Sequence, residues 1–382
     1  MKPIPYGRQS ITQEDIDAVV KTLRADFLTQ GPKVNEFEDK FAAYIGSKYA
    51  VAINNATAGL HLAVLTMGLK EGERVITTPI TFAASANCVR YAGGEVWFAD
   101  IDPDSYLLSL ESTRKLIESK PKGFFKGIIP VDLAGLPLNL EAFRKLADAH
   151  GLWIIEDTCH APGGYFTDSK GIKQNCGNGN YAELAIFSFH PVKHIACGEG
   201  GMVTTNSEEH YKKLLLLRTH GITKENMSEN HGAWFYEMQD LGFNYRLTDI
   251  QSALGITQLA KNREGVKQRN SIADTYKKAF KGKIKFQSLP EGTYNAHHLF
   301  VIEVEDRKGL YDYLRANQIF AQIHYIPVHT LPYYREIGYG DATLVNSEAY
   351  YSKCISLPMF PTLTKEEQNF VIERINSFYG FE

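Results

Sequence analysis

Short apolar segments alternate with helix-length amphipathic segments up to residue 205, and this alternation constrains the fold most strongly. Helical patterns such as GLHLAVLTMGL and LEAFRKLADAH lie between most of the apolar segments, and Thr12 and Asp15 predict a capping box before the first helix. Strands that alternate with helices and are apolar on both faces predict a mostly parallel sheet covered by helices. The predicted strands are YAVAI (49–53), RVIT (74–77), EVWF (95–98), GIIPV (127–131), LWIIE (152–156), LAIF (184–187) and GMVTT (201–205).

The pattern changes near residue 250. A long polar helical segment, QSALGITQLAKNREGVKQRNSIADTYKKAF, is followed by the strand-like segments HLFVIEVE and AQIHYIP. A chain of 382 residues is long enough for one large domain and a smaller one. We therefore predict a large domain over 1–250, with an N-terminal arm over 1–30, and a smaller α+β domain over 251–382.

Charge and hydropathy favour small-molecule substrates. The formal net charge is -3, from 41 basic and 44 acidic residues, and neither sign forms a long block. Such a chain lacks the basic surface typical of partners that are nucleic acids or membranes. No apolar run approaches the ~20 residues that cross a bilayer, and MKPIPYGRQSIT has no signal-peptide core, so we expect a soluble, cytoplasmic protein.

In an open α/β sheet, ligands bind beyond the carboxyl ends of the strands. Residues 54–59 (NNATAG) follow the first predicted strand and turn directly into a helix. Their small side chains and hydroxyl suit a phosphate at the helix start, but this segment alone is a weak signal, and capping of the helix by Thr57 stays open as the alternative. Phe82 follows the second strand at the same edge, and Asp157 lies at the end of a buried strand, where its charge needs a cationic or hydrogen-bonding partner.

Metal binding and thiol catalysis are not expected. His190 and His194 have the spacing of a zinc-binding helix, but Pro191 lies between them and no HExxH glutamate is present. Cys159 and His160 are neighbours on an extended chain and point to opposite sides. The odd number of cysteines without a CxxC pair predicts reduced thiols at Cys88, Cys159, Cys176, Cys197 and Cys354.

One lysine, Lys193, lies in FSFHPVKHIACGEGG (187–201), between a serine and a run of glycines. The surrounding candidates match one cofactor, pyridoxal 5′-phosphate (PLP). Its ring would lie against Phe82, its ring nitrogen on Asp157, and its aldehyde on Lys193 as a Schiff base. The candidate phosphate-binding residues are Thr57, Ala58 and Ser188.

Several ordered segments resemble one family over nearly the whole chain. These segments are FLTQGPKVNEFEDKFAAYIG, NNATAGLHLA, TTPITFAASAN, EDTCHA, FSFHPVKHIACGEGG, GFNYRLTDIQSALG, HYIPVH and ISLPMFPTLT. They resemble the DegT/DnrJ/EryC1/StrS group of nucleotide-sugar aminotransferases. PVDLAGLP, RTHGITKEN, HGAWFYEMQDLGFNYRLTDIQSALG and the histidine of EDTCHA further resemble the branch of that group that acts in pseudaminic acid biosynthesis. One departure is GERVI where many relatives have GDEVI, which we expect to change only surface charge.

The resemblance implies a fold-type I PLP-dependent transferase with a mostly parallel, mixed seven-stranded sheet. It implies Lys193 as the Schiff-base lysine, Asp157 as the partner of the ring nitrogen, and His160 as a contact of the ring hydroxyl. Phe82 would stack on the ring. The implied phosphate contacts are Thr57, Ala58, Ser188 and, from a second subunit, Asn244. The implied contacts of the sugar nucleotide are Tyr6, Asp26, Phe27, Leu28, Thr29, Asn244, Gln322, Ile323, His324 and Tyr325.

The function implied by the resemblance is transfer of an amino group from L-glutamate to C4 of a UDP-4-keto-6-deoxy-N-acetylhexosamine. The protein would be a homodimer with shared active sites. Another nucleotide-linked keto sugar, or a non-catalytic regulatory protein on the same fold, stays open as an alternative. A sugar dehydratase is disfavoured because those relatives replace the lysine by histidine, whereas Lys193 is intact.

Overall fold

A computed structural model describes residues 2–225, 227–229, 231–340 and 343–381. Met1 and Glu382, at the ends of the predicted domains, and Asn226 of RTHGITKEN lie outside the described residues. The strands are β1 (Ile4–Pro5), β2 (Tyr49–Ile53), β3 (Arg74–Thr77), β4 (Glu95–Phe98), β5 (Phe125–Ile129), β6 (Trp153–Asp157), β7 (Tyr165–Thr167), β8 (Lys173–Asn175), β9 (Leu184–Ser188), β10 (Gly201–Thr205), β11 (Ile222–Thr223), β12 (Glu237–Met238), β13 (Lys285–Phe286), β14 (Thr293–Tyr294), β15 (Phe300–Glu303), β16 (Ile319–Phe320) and β17 (Cys354–Leu357). The helices are α1 (Gln13–Leu23), α2 (Pro32–Ile45), α3 (Ala56–Thr66), α4 (Ala84–Tyr91), α5 (Leu110–Glu118), α6 (Leu140–His150), α7 (Glu208–Arg218), α8 (Asp249–Phe280), α9 (Arg307–Ala316), α10 (Pro332–Glu336), α11 (Val345–Lys353) and α12 (Lys365–Tyr379).

The central sheet contains seven strands within the described residues, in the order β2-β10-β9-β6-β5-β3-β4. Only β10 runs against its neighbours β2 and β9, so the predicted mostly parallel, mixed sheet is confirmed. The strand predicted over 127–131 starts at Phe125 and ends at Ile129, because Pro130 has no N–H to continue the ladder. The strand predicted over 152–156 is shifted by one residue, so that Asp157 is its last residue.

Alternate residues of the sheet strands enter separate apolar clusters. On β6, Ile154 packs in the cluster that contains Phe143 of α6, whereas Ile155 packs in the cluster that contains Leu60 of α3. Both isoleucines are fully buried. Because side chains alternate across a strand, this arrangement covers the sheet with helices on both faces and explains why its strands are apolar throughout.

The N-terminal segment is attached to the C-terminal part of the chain. β1 pairs in parallel with β16, with Ile4 opposite Ile319. The predicted capping of α1 is present, since the N–H of Thr12 donates to Asp15 at 2.7 Å. Asp15 also accepts hydrogen bonds from Thr257 at 2.6 Å and Gln258 at 2.9 Å, both on α8. The arm therefore bridges the two predicted domains, whose division at residue 250 stays a prediction.

The C-terminal part contains a separate antiparallel sheet in the order β13-β15-β17. Phe300 and Ile302 of β15 pack with Leu310 of α9 and Val371 of α12 in one buried cluster. None of the helices in the described residues is both long enough and apolar enough to cross a membrane.

Candidate active site

A cavity of about 750 Å³ opens at the carboxyl ends of β3, β6 and β9. Parallel strands end at the same edge of a sheet, so residues that follow separate strands meet there. The predicted site residues that line the cavity are Tyr6, Thr57, Phe82, Asp157, His160, Ser188, Lys193, Gln322, Ile323, His324 and Tyr325. The predicted residues Ala58, Asn244 and Asp26, Phe27, Leu28 and Thr29 are not part of this lining.

The start of α3 forms one end of the cavity. Asn55, rather than Thr57, caps this helix: its side-chain oxygen accepts the N–H of Ala58 at 2.8 Å. Capping by Thr57 is therefore wrong, because the residue lies inside the first turn. The cap occupies the N–H of Ala58, whereas the N–H groups of Ala56 and Thr57 have no partner within the helix. With the hydroxyl of Ser188 at the end of β9, this end of the cavity suits a phosphate.

Gly201 of β10 allows this close packing. A Cβ atom at Gly201 would lie 2.8 Å from the backbone nitrogen of Ala56 and 2.9 Å from the carbonyl carbon of Asn55. Real Cβ atoms do not approach backbone atoms so closely, and backbone cannot move aside as a flexible side chain can. Gly201, the last glycine of the GEGG segment, thus lets β10 pack against the start of α3.

Asp157 is buried at the end of β6, and its predicted hydrogen-bonding partners are present. The hydroxyl of Ser85 donates to one carboxylate oxygen at 2.6 Å, and the N–H of Cys159 donates to the other at 3.2 Å. Ser85 is itself held at 2.8 Å from the hydroxyl of Thr81. These bonds fix the orientation of a carboxylate that lines the cavity, which suits a protonated ring nitrogen.

A second group of acidic side chains lies on the other side of β6. Glu156 points away from Asp157, and its carboxylate lies with Asp132 and Cys176 in a buried cluster whose ligand atoms are within 4.8 Å of one another. Burial raises the pKa of Asp132 to about 6, and burial together with the charge of Asp132 raises the pKa of Glu156. Cys88, Cys159, Cys176, Cys197 and Cys354 are free thiols, as predicted.

Lys193 extends into the cavity from the turn after β9, where its N–H donates to the carbonyl of His190 at 2.8 Å. Burial lowers the pKa of Lys193 to about 8, although nearby Cys159 and Asp157 raise it. With this pKa about a tenth of the lysine is free amine at pH 7, far more than at its ordinary pKa of 10.5. It can therefore act as a nucleophile and can accept and return a proton.

Tyr325 and His160 form a hydrogen-bonded pair with a defined direction. Nδ1 of His160 is 3.2 Å from the backbone nitrogen of Ala134, and a backbone N–H can only donate. Burial, followed by the charge of Lys193, lowers the pKa of His160 well below its usual value, so the ring is neutral and carries its proton on Nε2. Nε2 is 3.2 Å from the hydroxyl oxygen of Tyr325, which therefore accepts. The hydroxyl proton of Tyr325 stays free to donate into the cavity.

Sequence reasoning missed His298, which also lines the cavity. Its Nε2 is 3.5 Å from Nζ of Lys193. The segment HLFVIEVE was interpreted only as a strand, and β15 begins after the histidine, at Phe300. The available signal was the pair of adjacent histidines, His297 and His298, directly before an apolar strand.

Asn244 and Asp26–Thr29 lie on an exposed face outside the cavity. Asn244 bridges to Thr219, and the next residue, Tyr245, accepts the N–H of Asn54 at 2.9 Å. Thr29 bridges to Thr248, which places the segment 26–29 beside the same stretch of chain. Large apolar side chains are exposed nearby in the chain, at Trp234, Tyr236, Met238 and Leu241.

Comparison with known proteins gives one consistent result. The sequence profile of the DegT/DnrJ/EryC1/StrS aminotransferase family matches residues 9–376. The chain is 35% identical over 381 residues to the UDP-4-amino-4,6-dideoxy-N-acetyl-beta-L-altrosamine transaminase of Campylobacter jejuni strain 81-176, covering 98% of this chain and 97% of that protein. It is also 35% identical to the spore coat polysaccharide biosynthesis protein SpsC of Bacillus subtilis, covering 97% and 96% of the two chains.

Solved structures give the same picture. PseC of Helicobacter pylori, an aminotransferase involved in the biosynthesis of pseudoaminic acid, has a TM-score of 0.89 and 30% identity, covering 99% of this chain and 100% of that chain. The PLP-form of the putative sugar aminotransferase Spr1654 of Streptococcus pneumoniae has a TM-score of 0.89 and 27% identity, covering 98% of each chain. Its apo-form has the same TM-score, with 28% identity, and covers 98% of this chain and 97% of that chain.

Proposed function

The chain belongs to the DegT/DnrJ/EryC1/StrS aminotransferase family and is a PLP-dependent sugar aminotransferase, and on this premise we propose that it aminates C4 of a UDP-4-keto-6-deoxy-N-acetylhexosamine. The amino donor is L-glutamate, and the product is UDP-4-amino-4,6-dideoxy-N-acetyl-β-L-altrosamine, a precursor of pseudaminic acid. The choice of sugar is supported by the names of the Campylobacter and Helicobacter relatives. The aminotransfer chemistry is supported by one observation, the meeting of Lys193, Asp157 and the start of α3 in a single cavity.

The residues of the cavity fit PLP. The N–H groups of the first turn of α3, with the hydroxyls of Thr57 and Ser188, would hold its phosphate. Phe82 would cover one face of its ring, Asp157 would accept a hydrogen bond from its protonated ring nitrogen, and His160 would contact its ring hydroxyl. When bound, PLP supplies an aldehyde that carries the amino group and a ring that takes up electron density from the reacting carbon.

The chain's own side chains then move protons and hold the reacting groups in position. Nζ of Lys193 takes a proton from the α-carbon of the amino donor and, in the second half-reaction, delivers one to C4 of the sugar. Asp157 keeps one orientation because Ser85 and the N–H of Cys159 hold both of its oxygens. Tyr325 donates its free hydroxyl proton to an acceptor oxygen in the cavity. Tyr6, Gln322, Ile323 and His324 would contact the sugar nucleotide.

We further propose a homodimer in which each cavity is completed by the partner subunit. Asn244 is exposed and does not line the cavity of its own chain, although the resemblance makes it a contact of the phosphate and the substrate. A position across a dimer interface reconciles these two points. Asp26, Phe27, Leu28 and Thr29 lie beside the same stretch of chain and would approach the substrate from the same interface.

The proposed reaction is tested with purified protein, L-glutamate and a set of UDP-linked keto sugars. The protein should be yellow, lose its colour with L-glutamate and recover it with 2-oxoglutarate. NMR of the product should show a new amine at C4 with the altro configuration. Amination at C3, or a clear preference for a differently configured keto sugar, would overturn the proposed substrate and keep the aminotransferase. Failure of glutamate to change the colour would contradict the amino donor.

The shared site is tested by subunit exchange between the variants Lys193→Ala and Asn244→Ala. Each should be impaired alone, whereas a mixed dimer carries one doubly altered site and one intact site. With random exchange at equal amounts, about half of the dimers are mixed and about a quarter of all sites should be intact. Activity should rise towards that fraction on mixing. If native mass spectrometry shows mixed dimers while activity stays at the average of the two variants, Asn244 acts within its own chain.

A further inference from the structure

The amine of Lys193 has one hydrogen-bonding partner among the described residues, Nε2 of His298 at 3.5 Å. The two side chains come from distant parts of the sequence. Lys193 follows β9 of the central sheet, and His298 precedes β15 of the C-terminal sheet. Both line the same cavity, so the C-terminal part of the chain reaches the amine of Lys193.

His298 is held in place independently of Lys193. Nη1 of Arg269, a buried residue of α8, donates to the carbonyl oxygen of His298 at 3.3 Å and to that of Met359 at 2.9 Å. The imidazole ring is buried, with its centroid 4.3 Å from that of His160 and 5.7 Å from that of His194. These contacts hold the ring in place beside the amine of Lys193.

The surroundings of the ring indicate which of its nitrogens carries the proton. Nδ1 of His298 is buried without a hydrogen-bond partner among the described residues. Neutral imidazole has one donor and one acceptor nitrogen, and a buried N–H without a partner is the rarer and more costly arrangement. The tautomer with a bare Nδ1 and an Nε2–H is therefore favoured. An Nε2–H facing Nζ can donate only to an amine that has a free lone pair.

We propose that His298 is a positioning residue for the reaction: its Nε2–H donates to the lone pair of Nζ of Lys193 and holds the uncharged amine in the cavity. This inference rests on the proposed role of Lys193. It assigns to the C-terminal part of the chain a function at the reacting amine that the sheet residues do not supply.

The charge state of the His298 ring is consistent with this role. Burial, followed by the charge of Lys193, lowers the pKa of His298 well below its usual value, so the ring is neutral when the enzyme works near neutral pH. The other groups that act on Lys193 or His298 are the anionic Asp157, the thiol of Cys159, the cationic Arg269 and the neutral rings of His160, His194 and His324.

The test compares His298→Phe, which removes the donor, with His298→Gln, whose amide nitrogen can replace Nε2–H. The matched control is His297→Asn. His297 is the adjacent buried histidine, and its Nε2 is also 3.5 Å from a lysine amine, that of Lys277, but it does not line the cavity. Asparagine suits this position because His297 has a φ of 51°.

The first measurement uses the full chain without cofactor. Labelling of Lys193 by fluorodinitrobenzene across a pH series, read out by peptide mass spectrometry, reports the fraction of free amine. Loss of a hydrogen bond made only to the uncharged form should raise the labelling midpoint by about one pH unit in His298→Phe. His298→Gln should return the midpoint towards that of the wild type, and His297→Asn should not move it. An unchanged midpoint in His298→Phe would refute the proposal.

The second measurement is kcat of the loaded enzyme with L-glutamate and the keto sugar. A misplaced amine should lower kcat of His298→Phe by about 10²-fold, with partial recovery in His298→Gln. Equal losses in His298→Phe, His298→Gln and His297→Asn would show a merely structural role and overturn the inference. The labelling result does not depend on turnover, so it stands or fails separately from the proposed substrate. If His298→Phe does not fold, the labelling midpoint of His298→Gln tests the proposal by itself. A midpoint near that of the wild type supports it, and a rise of about one pH unit contradicts it, because the amide nitrogen should replace Nε2–H.

Discussion

The two walls of the cavity are formed in different ways. One wall, the sheet wall, comes from residues that end or follow the parallel strands and includes Asp157, Ser188 and Lys193. The other, the histidine wall, consists of His298 and the segment 322–325 from the C-terminal part. Strand ends converge because the sheet forces them to, whereas the histidine wall depends on how a second unit is placed against the sheet. The first wall is therefore predictable from local patterns and the second is not.

The walls also differ in charge. The sheet wall presents a carboxylate and a lysine whose pKa is about 8. In the histidine wall, burial lowers the pKa of His298 well below its usual value and that of His324 to about 3, so both rings are neutral. We infer that the sheet wall carries the reacting charges, while the histidine wall orients groups by hydrogen bonds. Changes to the sheet wall should accordingly have the larger effects on turnover.

The largest effect is expected for Lys193→Ala. Without an amine in the cavity, neither the nucleophile nor the proton acceptor is present, so turnover should be abolished. The cofactor should still bind without a covalent bond, because the residues at the start of α3 and at Asp157 are unchanged. Absorbance spectra and a coupled assay for 2-oxoglutarate measure the two properties. Turnover near the wild-type rate would show that the amine belongs to another residue.

Asp157→Asn should lower kcat by about 10²- to 10³-fold, since a preorganised charge next to developing charge is lost. Asparagine can still accept the hydroxyl proton of Ser85, so the local fold should persist. Steady-state kinetics and the spectrum of the bound cofactor are the measurements. Retained activity together with an unchanged spectrum would contradict the role of Asp157 as the partner of the ring nitrogen.

Tyr325→Phe should have a smaller effect, about 10-fold in kcat, equivalent to one lost hydrogen bond. The variants His160→Gln and His160→Leu together test the direction of the hydrogen bond between His160 and Tyr325. Glutamine can accept the N–H of Ala134 and donate to Tyr325, whereas leucine can do neither, so the glutamine variant should be closer to the wild type. Equal losses in both variants would contradict a directed role for the pair.

The smallest effect on turnover is expected for Asp132→Asn, because Asp132 belongs to the buried cluster on the other side of β6 from Asp157. Burial raises the pKa of Asp132 to about 6, so this carboxyl stabilises the fold at low pH and loses that contribution as pH rises through the folded pKa. Asparagine does not titrate. The free energy of unfolding of Asp132→Asn, relative to the wild type, should therefore increase between about pH 5 and about pH 8, by roughly 1 to 2 kcal/mol.

Urea denaturation of both proteins at fixed protein concentration measures this difference. Asp168→Asn is a suitable control, because the N–H of Ile172 lowers the pKa of Asp168. Asp168 is then ionised in the folded and unfolded states throughout this pH range. The difference in free energy of unfolding between Asp168→Asn and the wild type should therefore not change with pH. If the difference for Asp132→Asn does not change with pH either, the buried carboxyl of Asp132 does not titrate between about pH 5 and about pH 8.

The amino-acid sequence by itself determined the central sheet and most of the sheet wall. Apolar, β-branched segments between helical patterns marked the seven strands of this sheet, and Asp157 and Ser188 followed from their position at strand ends. This works because strand pairing and helix amphipathicity are local patterns, and a parallel sheet brings strand ends together without further information. Capping of α3 by Thr57 was the alternative that the sequence left open, and the structure places the cap at Asn55, because the exact start of a helix depends on backbone geometry that both residues allow.

Only the tertiary structure decided the place of His298 in the histidine wall and the exposure of Asn244, since the segment 322–325 was already implied by the family resemblance. His298 meets Lys193 because α8 and the C-terminal sheet pack against the central sheet, and Arg269 holds the histidine backbone there. The proton positions on His160 and His298 depend on single atoms, the N–H of Ala134 and an unpartnered Nδ1, which no sequence pattern encodes. Contacts between residues far apart in the chain depend on the packing of whole units, so Lys193 and Asp157 could be found in the sequence, whereas the contact of His298 with Lys193 and the direction of the bond between His160 and Tyr325 could not.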